Sequence, residues 1–255
     1  MEFPEQPRAV YNRNPLSEVV CQLRFPRLFL LDRQVPAEFQ SALGREFPVV
    51  DSREEFRLSF SEGSQNPTPT TRRLIYDFST TDDEFTVSLC SDFLAIKTYK
   101  YVRWERFQSV LNLAMKALLS NYEVVHFKRI GLRYVNIIDR DELGLKDETW
   151  SNLLRTRALG LLADQDIPIN DVTEQATTTV IKLNEGKVAV RTGLSFVNNE
   201  EKPQFIVDSD FFFEEQVEGA EDAIRILGSY NRAAGNVFRW FITDRLHNHL
   251  EPTDP

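Results

Sequence analysis

The chain has no apolar run near the ~18 residues that a membrane-spanning helix needs, and it carries only 2 cysteines, 3 histidines and 10 glycines in 255 residues. Each scarcity excludes something. Without a long apolar segment no membrane span is expected. Cys21 and Cys90 sit inside the apolar runs Val19-Val20-Cys21 and Val87-Ser88-Leu89-Cys90. They read as two small buried thiols rather than a disulfide framework, which favours a reducing cytosol. The opening MEFPEQPRAVYNRNP lacks the basic and apolar regions of a secretory signal, so a cytoplasmic location is expected. No glycine-rich phosphate loop, metal-ligand spacing or nucleophile elbow occurs, and no cofactor is expected.

Basic residues are also in deficit, 30 against 39 acidic, for a net charge of −9. A general attraction to nucleic acid or to an anionic membrane is therefore not expected, although a local basic groove stays open. What is present is ordinary globular material, 42% hydrophobic and 27% charged with 19 phenylalanines, which excludes disorder for most of the chain. The length suits one large domain or two intimately packed halves.

Period-two alternation is cleanest over residues 14–25, NPLSEVVCQLRF. It predicts a half-buried strand with Val19, Cys21, Leu23 and Phe25 toward the core and Val20, Gln22 and Arg24 away from it. Proline at the first helical position, with Phe39, Leu43 and Phe47 spaced by four, predicts a helix over 36–47 that Pro48 ends. Over 54–99 the period returns to two: Phe56-Leu58-Phe60, Leu74-Tyr76-Phe78, Phe85-Val87-Leu89 and Phe93-Ala95 predict four strands in an antiparallel meander. The breaks are 62–71, expected to be a mobile loop, the acidic turn 80–84 and the Ser91-Asp92 corner. Phe107, Leu111, Ala114 and Leu118 mark a long amphipathic helix over 104–122.

Residues 124–138 predict a long strand bent at Gly131, 139–148 a charged connection and 150–163 a helix. Strands are then predicted at 173–183, 187–196 and 204–213, with a hairpin turn at Asn184-Glu185-Gly186 and a loop at 198–203. Residues 220–250 form an apolar-faced helical segment whose continuity Gly228 and Gly235 put in question. The expected fold class is α+β, with antiparallel β-meanders each followed by a long amphipathic helix. The expected halves are 1–139 and 148–255, packed tightly enough to count as one domain, with a pseudo-repeat between them left open.

The densest polar set inside an apolar strand is KRIGLRYVN. Alternation puts Arg129, Gly131, Arg133 and Val135 on one face and Ile130, Leu132, Tyr134 and Asn136 on the other. Two aligned guanidinium forks suit a phosphate or carboxylate ligand, and equally suit ion pairs on a solvated sheet face. Lys97, Lys100, Arg103 and Arg106, with Arg72 and Arg73, are interleaved with Tyr99, Tyr101 and Trp104. That mixture fits a stacked and neutralised nucleic-acid strand or a solvated helix start. Asp208 and Asp210 share a strand face, as metal-binding or acid–base carboxylates would and as a structural pair would. His247 and His249 read as residues near a helix C-terminus, where the dipole favours positive charge, and His126 as a core or edge histidine of a strand.

The stretches PLSEVVCQLRFP, PAEFQSALGREFP, KRIGLRYVN, FIVDSD and VFRWFITDRL together resemble a sporadically distributed family of prokaryotic proteins of about this length. The resemblance covers almost the whole chain. It implies no catalytic residues, since that family has no established activity, and its patchy occurrence implies an association with defence or mobile elements. The function expected first is a non-catalytic cytosolic binding or scaffold protein with a protein partner. One rival is a nucleic-acid or nucleotide-binding protein, a metal-dependent nuclease included, with Arg129, Arg133 and Lys97 to Arg106 on phosphates and Asp208 with Asp210 on a metal. The other is a small-ligand receptor in which a long helix grips a curved sheet over a cavity. Exposed strand edges raise the expectation of a homodimer.

Overall fold

The computed structural model describes residues 1–59, 68–164, 166–167, 172, 174–196 and 203–254, with side chains described outside 56–59, 68–72 and 196. Of the expected loops, 62–67 and 198–202 lie outside the described residues, while 68–71 belongs to a strand.

A short strand β1 (Val10–Tyr11) pairs with β11 (Pro252–Thr253) in a separate ribbon. The other nine strands are β2 (Leu16–Arg24), β3 (Val49–Ser59), β4 (Thr68–Ser79), β5 (Phe85–Cys90), β6 (Phe93–Thr98), β7 (Arg129–Ile138), β8 (Gln175–Lys182), β9 (Lys187–Phe196) and β10 (Pro203–Phe213). They make one sheet in the order β3-β4-β5-β6-β2-β7-β10-β9-β8, and every pairing is antiparallel. The two expected halves thus share a sheet, joined where β7 of the first pairs with β10 of the second. The helices are α1 (Ala37–Leu43), α2 (Trp104–Asn121), α3 (Trp150–Leu153), α4 (Thr156–Leu159), α5 (Ala220–Phe241) and α6 (Asp244–His249). The protein is an α+β molecule with a large antiparallel sheet, and no described helix is long and apolar enough to cross a membrane.

Alternation decides which sheet face is covered. Val19, Cys21 and Leu23 of β2 lie opposite Tyr134, Leu132 and Ile130 of β7, and all six are buried. They join one continuous core with Phe107, Leu111, Ala114 and Leu118 of α2 and Leu227, Val237, Phe238 and Phe241 of α5. Each large apolar side chain so buried contributes roughly 1.5–3 kcal/mol, and helices with an apolar stripe must bury it against such a face. The opposite face is polar: Glu18, Arg24, Arg129, Arg133, Asp208, Asp210 and Arg191 form ion pairs across it. A small apolar island of Ile75, Cys90 and Phe93 interrupts it. Cys21 and Cys90 are both free and buried, one in each cluster.

Three expected elements are corrected. The helix over 150–163 is broken, because Leu154 and Arg155 turn extended to bond the chain at the end of α5: Arg155 N–H donates to Phe241 O at 2.8 Å, and Thr243 N–H to Leu153 O at 2.9 Å. The strand expected from 124 starts at Arg129; before it, Phe127 makes an isolated bridge with Val217, which leaves His126 outside the strand. The helical segment 220–250 runs unbroken through Gly228 and Gly235 to Phe241 and stops at Ile242, after which the Thr243 hydroxyl caps α6.

Candidate functional site

The sequence candidates lie on several different surfaces. Arg133 and Asp208, on adjacent strands of the open face, find each other: Nε and Nη2 donate to the two carboxylate oxygens at 2.8 and 2.9 Å. Arg191 of β9 adds a third hydrogen bond to Asp208 at 3.1 Å, and Glu18 stands 3.7 Å from Arg133. Arg129 reaches Asp210 at 3.4 Å and lies over the Phe212 ring at 5.3 Å. The two basic and two acidic candidates therefore spend their charge largely on one another. Among the described residues no group of three or more His, Cys, Asp or Glu side chains could hold a metal ion.

The Lys97 to Arg106 concentration disperses. Lys97 of β6 bonds the Tyr99 hydroxyl at 3.0 Å, and Lys100 bonds the carbonyl of Asp82. Arg106 is held on α2 by Glu46 at 2.7 Å and Glu84 at 3.1 Å, over the Phe85 ring. Arg103, exposed just before α2, lines a cleft that Lys97, Lys100, Arg106, Arg129 and Arg133 do not line.

That cleft, of about 660 Å3, lies between the middle of α5, the chain entering α2, the β2·β7 junction and the N-terminal residues. Its floor is built from the core-facing polar residues of β7, Tyr134 and Asn136, which follow Ile130 and Leu132 on the same face. The Tyr134 and Tyr101 hydroxyls both donate to Asn231 Oδ1 of α5, at 2.9 and 3.2 Å, and their rings meet edge-on at 5.8 Å. Burial pushes the Tyr101 phenol up to about 12 and Tyr134 well above its ordinary value. Both keep their protons at physiological pH, so the floor carries hydrogen-bonding phenols and no tyrosinate base. Two donors on Oδ1 also fix the orientation of the Asn231 amide, turning Nδ2 away from the phenols.

The N-terminal residues are strapped across this cleft. Phe3 is buried against Trp240 at 5.5 Å, Gln6 N–H donates to Asn236 Oδ1 at 3.1 Å, and Arg8 grips Glu105 of α2 with two bonds of 2.8 and 3.1 Å. The Tyr11 hydroxyl meets His247 Nδ1 at 2.9 Å. Burial, with Arg239 adding to it, lowers the His247 imidazole pKa, while burial raises Tyr11 to about 12. His249 contacts the Leu143 carbonyl at 2.7 Å. Both C-terminal histidines are thus partnered. Facing the strap, Gly235 on α5 has nothing within 4 Å of where a Cβ would stand.

Sequence reasoning picked out Tyr134 and Asn136 as polar residues in an apolar strand but did not place a cavity over them. The legible signal was two polar side chains on the face of β7 predicted to be buried, matched by Asn231 between Leu227 and Ala234 on the apolar side of α5. Compared with models of known families and with curated proteins, the chain matches none.

Proposed function

We propose that the chain is a non-catalytic binding protein whose seam cleft holds a small polar ligand. The observation that carries this reading is the cleft itself. Its volume of about 660 Å3 lies in the range of ligand pockets. The Tyr101–Tyr134–Asn231 floor and the space in front of Gly235 supply polar recognition and room. The strand order supports a duplicated architecture around the same place. Read outward from the β2·β7 junction, β2-β6-β5-β4 and β7-β10-β9-β8 repeat one connectivity of strand, helical connection, meander and long helix, with β3 as an additional edge. On this reading the repeats divide before β7, and the cleft occupies their seam.

Mass spectrometry of small molecules released on denaturing the purified protein tests the proposal. A compound retained by the wild type and lost in Gly235→Phe, with an unchanged far-UV spectrum, is the expected result. No retained compound, together with no thermal stabilisation by a library of polar metabolites, would sink it.

One observation favours a second reading, a scaffold that pairs with itself. β8 is an edge strand, exposed at nearly every position with Val180 at 59%, and its register with β9 runs from Gln175 to Lys182 without a bulge. From Gln175 to Ile181 this edge carries no charge, proline or bulge, the usual defences against strand addition. Light scattering should find a dimer in the wild type and a monomer after Thr178→Lys with Val180→Lys; a wild-type monomer at high concentration ends this reading.

A further inference from the structure

A second cavity, of about 420 Å3, shares no lining residue with the seam cleft and lies at the ends of the central strands. Five cations line it: Arg24 at the end of β2, Arg27 just beyond, Arg73 of β4, and Lys128 and Arg129 at the start of β7. Two carboxylates, Asp92 and Glu214, line it with them.

The placement of these cations is unfavourable for the protein alone. Arg24 and Arg129 are direct partners in the β2·β7 register, and like charges directly opposite one another destabilise a sheet. One counter-charge is shared, and two others stand outside the lining of the cavity. Asp92 serves both Arg24 at 3.3 Å and Arg73 at 2.9 Å, and the Arg73 side chain is only 14% exposed. Arg129 has Asp210 at 3.4 Å, Arg27 has Asp32 at 2.8 Å, and Glu214 is turned to Lys187 at 3.4 Å. Glu55, opposite Arg73 in the β3·β4 register, lines no part of the cavity. Lys128 makes no ion pair among the described residues. Positive charge is left over here in a chain whose net charge is −9.

We infer that this pocket binds a phosphate group carried by a small molecule. Guanidinium forks converging on a concave site match phosphate oxygens bidentately, and a bound dianion would relieve the opposed Arg24 and Arg129. The volume leaves room for more than the phosphate. At the same turn Phe29 is 70% exposed, with the Arg27 guanidinium 5.6 Å from its ring centre, a surface on which a flat group can stack. A long polyanion is disfavoured by the net charge of −9 that the chain carries as a whole.

The test is isothermal titration and thermal shift with pyrophosphate, AMP and adenosine, and with a 15-nucleotide oligo-dT, at constant ionic strength. Pyrophosphate and AMP should bind and raise Tm while adenosine does not. Lys128→Ala, at an exposed position, should weaken AMP binding about tenfold, the loss of one charge-assisted contact. Arg24→Gln should weaken it at least as much while leaving the Tm of the unliganded protein unchanged or higher, because the opposed charges are gone. An arginine serving structure alone would instead lower that Tm and leave affinity untouched. Absence of binding by both phosphates, or binding unchanged in both variants, overturns the inference. Oligo-dT binding more tightly than AMP with a steep salt dependence overturns it in favour of nucleic acid.

Discussion

Asp208 accepts three hydrogen bonds from two arginines while its own side chain is only 6% exposed. Asp208→Ala would remove the carboxylate that holds Arg191 and leave Arg133 with only the longer contact to Glu18 at 3.7 Å. Removing one partner of a buried pair costs about 3–5 kcal/mol, but both arginines here are more than two-fifths exposed and stay hydrated. A loss of about 1–3 kcal/mol is expected in urea denaturation, against less than ~1 kcal/mol for Arg191→Ala, an exposed partner. Asp210, next but one on the same strand, differs. Burial raises its pKa in spite of Arg129, so the folded state holds its proton more tightly than the unfolded state does. Stability associated with it is therefore full at low pH and lost as pH rises from the ordinary aspartate range through the raised value. Asp210→Asn should flatten that decline, measured as unfolding free energy against pH; a steeper decline in the variant would contradict the assignment. At this scale the sequence placed side chains on faces without showing their pairing. Alternation put Arg129 and Arg133 on one face, and Asp208 and Asp210 on one face, yet which strands lie side by side is a property of topology that no local period contains.

Glycines separate elements that tolerate a side chain from those that do not. A Cβ on Gly131 would meet the Arg129 guanidinium, the movable end of a long side chain, whereas one on Gly193 would collide with the backbone carbonyl of Gln175 on the neighbouring strand β8. Gly193→Ala is accordingly expected to pry β8 from β9 and cost about 1–3 kcal/mol, as backbone strain does, while Gly131→Ala should cost less than ~1 kcal/mol. Thermal denaturation of the two variants checks the order, and equal losses would mean that Arg129 cannot move aside. The strands were readable because a half-buried sheet writes period two into the chain. The interruption at Leu154 and Arg155 was not, since their extended backbone answers hydrogen-bonding groups at Phe241 and Thr243, nearly ninety residues away. Gly228 and Gly235 misled in the other direction: helix propensity counts each against α5 by about 1 kcal/mol, and burial of Leu227, Tyr230, Val237 and Phe238 outweighs both.

Whether the molecule behaves as one unit or two rests on the β2·β7 junction. The strands pair from Leu16 to Arg24 against Asn136 to Arg129, and the side chains on their covered face belong to the same core as α2 and α5. Opening the junction would expose Val19, Cys21, Leu23, Leu132 and Tyr134 together and unroof the seam cleft, so neither half can unfold and leave the other's core intact. The tryptophans allow this to be measured, because Trp104 stacks on Phe107 in the first half while Trp150 packs on Phe205 in the second. A variant with Trp150→Phe and Trp240→Phe reports the first half by fluorescence, and Trp104→Phe reports the second. Each variant has its own stability, so the comparison lies within each variant, between its fluorescence and its far-UV circular dichroism. Coincident urea transitions in both are expected of a cooperative single unit. Fluorescence that leads or lags the circular dichroism in opposite senses in the two variants would instead divide the chain into independently stable halves, and with them the cleft would lose its fixed walls.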